Sequence, residues 1–69
     1  MYDLIEKHST PGDHATRAGH VILVDRKTDY QPYVTAWQGD GDRDWCWGHY
    51  FSDLKDAQAD YQSRCKRGY

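Results

Sequence analysis

Three short segments in the middle of the chain have the hydrophobic pattern of β-strands. The first, HVILVDR (residues 20–26), contains four consecutive aliphatic residues between a glycine and a polar connection. The second, PYVTAWQ (32–38), alternates its side chains with a period of two, and Pro32 stands where a strand can begin without losing a backbone donor. The third, WCWGHYF (45–51), follows a glycine- and aspartate-rich stretch that is typical of a hairpin turn. The pattern therefore predicts three antiparallel strands.

The segment after the third strand has the periodicity of an amphipathic helix. Its apolar residues are three or four positions apart and form one narrow stripe: Leu54, Ala57, Tyr61 and Cys65. Ser52 is the predicted N-cap and Gly68 ends the helix, with acidic residues in the first turn and basic residues in the last. The sequence thus predicts an α+β fold for residues 20–69, in which a three-stranded antiparallel sheet packs on one C-terminal helix (βββα).

The first nineteen residues differ from the rest and predict a loosely ordered N-terminal arm. A short apolar cluster at residues 2–5 is followed by a Ser-Thr-Pro-Gly-Asp turn signal. Residues 2–8 fit either a single helical turn or an edge strand, and residues 9–19 are expected to be irregular. We therefore divide the chain into an arm, residues 1–19, and a domain, residues 20–69.

Strand alternation divides the third strand into two sets of side chains. Trp45, Trp47, His49 and Phe51 lie on one side, and Cys46, Gly48 and Tyr50 lie on the other. A hairpin in regular register places Tyr33 and Trp37 with the first set, whereas a bulge at Gly48 mixes the two sets. Because one helix covers one face of the sheet, the aromatic set is either the core or an exposed binding surface.

We expect an arrangement between these two extremes. A chain so poor in aliphatic residues needs some of its tryptophans in the core. The helix is expected to bury Trp47 and Phe51. Trp37 and Trp45 then remain partly exposed near the hairpin.

The charge balance disfavours one class of partner. The 69 residues include 11 acidic and 9 basic side chains, which gives a net charge of -2 at pH 7. Electrostatic binding of nucleic acid requires a basic excess that this chain lacks. The sequence has neither an apolar run of transmembrane length nor a secretory signal, so we expect no membrane association and a cytoplasmic location.

The residue types that carry chemistry do not form a catalytic or metal-binding pattern. Histidines and cysteines are zinc ligands, but no pair of them has the short spacing of a zinc site. Cys46 and His49 lie on opposite faces of a regular strand, so their pairing for nucleophilic catalysis requires a bulge at Gly48. A disulfide between Cys46 and Cys65 is geometrically conceivable, although thiols in a reducing compartment are usually free. We expect no metal, no cofactor and no enzymatic activity.

Two resemblances extend this interpretation. With YVTAWQ, a Gly-Asp turn and YFSDLKDAQADY, residues 20–66 resemble the arm-type DNA-binding domains of tyrosine-recombinase integrases. In those domains a three-stranded sheet enters the major groove and a helix backs it, but the sheet carries lysine and arginine where this chain has tyrosine, threonine and tryptophan. The segments VDRKTDYQPYVTAW and WGHYFSDLKDAQADYQSR look like short uncharacterised proteins of actinobacteria, their phages and plasmids. This second resemblance implies a mobile-element origin.

These observations predict a small non-catalytic protein-binding module, an inhibitor or accessory factor of a mobile element that blocks a host protein. The predicted contact residues are aromatics and the acidic turn: Tyr33, Trp37, Asp40, Asp42, Asp44, Trp45 and Trp47. One alternative is nucleic-acid binding through the sheet and six basic residues: Arg26, Lys27, Arg43, Arg64, Lys66 and Arg67. The other is a homodimer, in which two copies pair through the first predicted strand or through their tryptophan faces.

Overall fold

The computed structural model describes residues 2–10 and 18–68 of the chain. Its elements, in chain order, are strands β1 (Asp3–Thr10), β2 (Gly19–Asp25), β3 (Tyr33–Gly39) and β4 (Cys46–Phe51) and helix α1 (Leu54–Arg67). The strands form one antiparallel sheet in the order β1-β2-β3-β4. The predicted α+β class, with an antiparallel sheet and one C-terminal helix, is confirmed.

The predicted number of strands is wrong, because the N-terminal segment adds a fourth. Of the two alternatives for residues 2–8, the structure shows the edge strand, which pairs with β2. Ser9 and Thr10 also belong to β1, whereas residues 11–17 lie outside the described residues. Every β1 residue except Thr10 is exposed, so this strand has no buried face to give it a hydrophobic alternation. Because residues 3–10 pair with β2, a loosely ordered arm is the wrong description of this segment.

The sheet buries apolar side chains on both faces. On the face that packs against α1, the core contains Val21, Leu23, Trp37, Ala57 and Tyr61. On the opposite face, which we call the open face, a second cluster contains Ile22, Val24, Val34 and Ala36, with Trp45 packed against it. The continuous run VILV thus marks a central strand that is buried on both sides.

The position of β2 inside the sheet also rules out one predicted dimer. Its backbone pairs with β1 on one side and with β3 on the other. No free edge remains on this strand for a second copy. The prediction of a homodimer that pairs through residues 20–26 is therefore wrong.

The predicted helix is confirmed, with a different N-cap. Asp53 rather than Ser52 caps it, because the Asp53 carboxylate accepts a hydrogen bond from the Lys55 amide at 2.8 Å. At the other end Gly68 has a φ of 91°, and its amide donates to the carbonyl of Arg64 at 2.7 Å. The side of α1 that carries Ala57 and Tyr61 packs on the sheet, as the stripe predicts.

Strand β4 contains the irregularity that mixes the two predicted sets of side chains. The register pairs Tyr33 with Phe51, Thr35 with His49, and Trp37 with Cys46. Ala36 of β3 therefore stands opposite both Trp47 and Gly48, which is the arrangement of a β-bulge. As a result, Phe51 packs under the helix while Trp45 lies on the open face. The regular register, which groups Trp45 with Phe51, is wrong.

The burial of the tryptophans also differs from the expected arrangement. Trp37 is only 6% exposed and belongs to the core under the helix, whereas Trp47 is 55% exposed. Trp45 is half-buried, as expected. Gly19 makes the burial of Trp37 sterically feasible, because a Cβ atom at this position would lie 2.4 Å from the indole ring.

Candidate functional site

The turn between β3 and β4 presents three carboxylates at one end of the sheet. The side chains of Asp40, Asp42 and Asp44 are all exposed. The turn is fixed by backbone hydrogen bonds from Asp42 to the Gly39 carbonyl at 3.0 Å and from Asp40 to the Ala18 carbonyl at 3.2 Å. The turn therefore places negative charge next to the first residues of β4.

Trp47, three residues after this turn, has an unusual backbone conformation. Its φ is 57°, in the left-handed region that bulky residues rarely adopt. Such a conformation costs about 1 to 3 kcal/mol and persists only where the surrounding structure enforces it. The Trp47 carbonyl accepts a hydrogen bond from Arg64, and the indole ring lies 5.6 Å from that of Trp37, measured between ring centroids. These two contacts hold the bulge in place.

A hydrogen-bond network beneath the bulge ties the helix to two strands. One carboxylate oxygen of Asp60, Oδ2, accepts hydrogen bonds from the Thr35 hydroxyl, from His49 Nδ1 at 3.0 Å and from Arg64 Nε at 3.2 Å. Burial raises the pKa of the Asp60 carboxyl, but these three hydrogen bonds outweigh it and hold the pKa below its ordinary value. Asp60 is therefore a charged anchor at the junction of α1, β3 and β4.

Arg64 is a buried structural residue. Its side chain is 1% exposed and donates to both Asp60 and Trp47. The predicted set of six nucleic-acid-binding basic residues is therefore wrong at Arg64. Lys27 of the same set forms an ion pair with Asp3 at 2.7 Å, and hydrogen bonding to Asp3 raises the pKa of Lys27.

The predicted contact residues fall into three different places. Tyr33 and Trp37 pack under the helix, and Trp45 covers the open face. Trp47 is exposed with its ring next to that of Trp37, whereas the Asp40 carboxylate lies 3.4 Å from Nδ1 of His20 in β2. The structure thus leaves Trp47 and the acidic turn exposed, with Trp47 three residues after Asp44 in the chain. It does not bring the other three aromatics to the same surface.

His49 and the two cysteines are the residues that a catalytic or metal-binding site in this chain would use. The bulge that a Cys46–His49 pair requires is present, but Nδ1 of His49 bonds to Asp60. Cys46 and Cys65 are free thiols. Among the residues that the structure describes, no three His, Cys, Asp or Glu side chains are grouped as a metal site would need.

A second candidate surface, which the sequence did not indicate, lies on the open face. A groove of about 340 Å³ is lined by Tyr2, Arg26, Thr28 and Trp45. The rings of Tyr2 and Trp45 meet edge to face, with centroids 5.3 Å apart. The guanidinium of Arg26 lies 4.8 Å from the centroid of the Tyr50 ring and donates to the Gln31 carbonyl at 2.8 Å. Residues that are distant in the sequence thus build this groove, so no local motif marks it.

Comparison of the chain with protein-family models, curated proteins and solved structures gave no match. Within the described part of the chain, no helix has the length and apolar character needed to cross a membrane.

Proposed function

We propose that the protein is a small non-catalytic binding module that captures a protein partner through Trp47 and the acidic turn. The observation that supports this proposal most directly is the conformation of Trp47. A large apolar ring is more than half exposed, on a strained backbone that a buried arginine holds in place. Tryptophan is among the residues most enriched in interface hot spots, and an exposed ring held in this way loses little entropy on binding.

The chemistry of the turn specifies the kind of partner. Carboxylates beside an aromatic anchor favour a surface that presents lysine or arginine around an apolar pocket. The partner is thus a protein with a basic binding surface, and the module covers that surface. A mobile-element inhibitor or accessory factor of a host protein, which the resemblance to phage and plasmid proteins implies, fits this activity.

Capture from an actinobacterial host lysate tests the proposal if matched variants are used as bait. Trp47→Ala removes the ring, and its circular-dichroism spectrum and urea midpoint are compared with those of the wild type, because the ring also contacts Trp37 and helps to hold the bulge. The triple change Asp40→Asn, Asp42→Asn, Asp44→Asn removes the charge. A control bait carries Asp29→Asn and Tyr30→Ala, two exposed positions at the opposite end of the sheet.

A partner identified in this way is then purified and titrated against each variant by calorimetry. We expect Trp47→Ala to weaken binding by about 30-fold, the effect of losing a hot-spot residue. The triple variant should bind more weakly at low salt and lose most of its salt dependence. The proposal is wrong if every bait captures the same proteins with the same affinity. It is also wrong if the control bait loses the partner that the Trp47→Ala bait loses.

A further inference from the structure

The open face differs in charge from the rest of the molecule. In an antiparallel sheet, paired residues lie on the same face, so the register assigns each strand residue to a side. Lys7 pairs with Ile22, which places it on the open face, and Arg26 joins this face at the Trp45 groove. The carboxylates of the strands lie on the helix side, because Glu6 pairs with Leu23 and Asp25 pairs with Tyr33.

The strand residues of the open face consequently carry positive charge on a protein of net charge -2, and the Asp40 carboxylate lies 3.4 Å from Nδ1 of His20 at one end of this face. The described strand positions on this face include no acidic residue: Leu4, Lys7, Ser9, His20, Ile22, Val24, Val34, Ala36, Gln38 and Tyr50. The ion pairs and hydrogen bonds of the described residues give neither Lys7 nor Arg26 a carboxylate partner. Lys7 therefore remains available for an anionic ligand, and Arg26 contributes its positive charge while its guanidinium donates to the carbonyls of Tyr30 and Gln31.

Aromatic rings lie around Arg26 on this face. Tyr2 is 40% exposed and Tyr50 is 43% exposed, and Trp45 is half-buried between the sheet and the groove. Two of these rings pack closely over Gly48, where a Cβ atom would lie 3.2 Å from the Tyr50 ring and 3.5 Å from Trp45 Nε1. The rings are thus held on the sheet as a platform.

We infer that the open face binds single-stranded nucleic acid, with bases stacked on Tyr2 and Trp45 and backbone phosphates at Lys7 and Arg26. Aromatic platforms combined with cations are the means by which proteins bind unpaired strands. A duplex keeps its bases stacked on one another and does not offer them to rings on a flat sheet. The carboxylates of the helix side repel phosphate, and Asp40, which lies 3.4 Å from His20, repels it at one end of the open face.

The salt dependence of binding follows from the number of phosphates contacted. Neutralising one phosphate of a single strand contributes a slope of about -0.7 to log K against log salt. Two contacts, at Lys7 and Arg26, therefore predict a slope of about -1.4. Binding should be weak, and a slope of this size lowers the affinity about seven-fold when the salt concentration rises four-fold.

Fluorescence anisotropy with a labelled oligothymidylate tests this inference on the full chain. We expect binding at about 50 mM salt, with a duplex of matched length binding more weakly. Tyr2→Ala should weaken binding about five-fold or more, since it removes an exposed stacking ring. Lys7→Gln should reduce the slope by about 0.7.

Two control variants show whether binding depends on the open face. Lys55→Gln makes the same charge change as Lys7→Gln at an exposed position of α1 and should leave binding unchanged. Trp47→Ala should also leave it unchanged, so the failure of this inference and that of the protein-binding proposal are distinguishable.

Several results would overturn the inference. No binding at about 100 μM protein, the weak end of non-specific association, removes it. Equal binding of duplex and single strand removes the stacking argument. If Tyr2→Ala and Lys7→Gln both bind the oligonucleotide with wild-type affinity, the nucleic acid does not bind at the open face. If a proline-rich peptide binds and the oligonucleotide does not, the aromatic groove is a peptide site.

Discussion

Arg64 connects the helix to the irregular edge of the sheet. A buried guanidinium is stabilised only when its charge and its donors are satisfied, and here Asp60 supplies the charge and the Trp47 carbonyl accepts a second hydrogen bond. One side chain thus explains both the left-handed backbone of Trp47 and the burial of a charge within α1. Trp47, the proposed contact residue, therefore depends on the hydrogen bond from the buried Arg64 to its carbonyl.

Replacement of Arg64 by methionine should therefore destabilise the protein markedly. The variant keeps an apolar stem but leaves the Asp60 carboxylate without its cation and the Trp47 carbonyl without its donor. Removing one member of a buried pair typically costs about 3 to 5 kcal/mol, and we expect the lower end because Asp60 is partly exposed. Urea denaturation followed by circular dichroism measures the loss.

Lys66→Met is the matched control for this change. It removes a positive charge from the same helical turn at an exposed position, so its effect should stay within about 0.5 kcal/mol. If the two variants unfold at the same urea concentration, Arg64 does not support the bulge.

Among the elements, the sequence predicted β2 from its continuous apolar run and α1 from its apolar stripe. The stripe of Leu54, Ala57 and Tyr61 predicts α1 because one face of the helix meets the sheet. For β1 the sequence left an edge strand and a helical turn open, because nearly all of its residues are exposed and give no hydrophobic alternation. The β4 bulge was likewise only one of two alternatives, since it depends on a contact with a residue far along the chain. Tertiary contacts of this kind have no local signal, which is why the groove at Tyr2 and Trp45 was also missed.

The junction of α1 with β3 and β4 should weaken in acid. The folded-state pKa of Asp60 is depressed, so its contribution to stability is complete above the unfolded value near 4 and is lost as pH falls through the folded value. Protonation removes the acceptor that joins Thr35, His49 and Arg64. We expect the free energy of unfolding to fall below about pH 4.

Urea titrations between neutral and strongly acidic pH provide the measurement. Asp60→Asn should be less stable at neutral pH and should show a smaller further loss below about pH 4. Asp56→Asn, a change at an exposed acidic residue in the first turn of the same helix, should lower the free energy of unfolding by less than about 1 kcal/mol, the interaction of one charge with the helix dipole. Parallel curves for wild type and Asp60→Asn would show that this carboxylate does not control the junction.

At the scale of the whole molecule, the sheet divides into a covered part and an exposed edge. The helix packs on β2, β3 and β4, whereas β1 is held through its pairing with β2 and through the hydrogen bond from Trp37 Nε1 to the Thr10 hydroxyl at 3.1 Å. The two proposed binding surfaces rest on these different parts. Trp47 belongs to the helix-backed region, and Tyr2 and Lys7 belong to the edge.

Hydrogen exchange should therefore separate β1 from the rest of the sheet. Local openings require less free energy where few apolar groups are buried. We therefore expect the protection factors of the β1 amides to be lower than those of β2 and β3 by about ten-fold or more. Thr10→Val removes the hydrogen bond to Trp37 and should speed exchange in β1 while leaving β3 nearly unchanged. Because Tyr2 adjoins this strand, a variant whose β1 amides exchange faster should bind single-stranded nucleic acid more weakly. Its binding of a protein partner through Trp47 should stay unchanged. Equal protection in β1 and β3 would instead mean that the sheet opens as one unit and that the two surfaces are not independent.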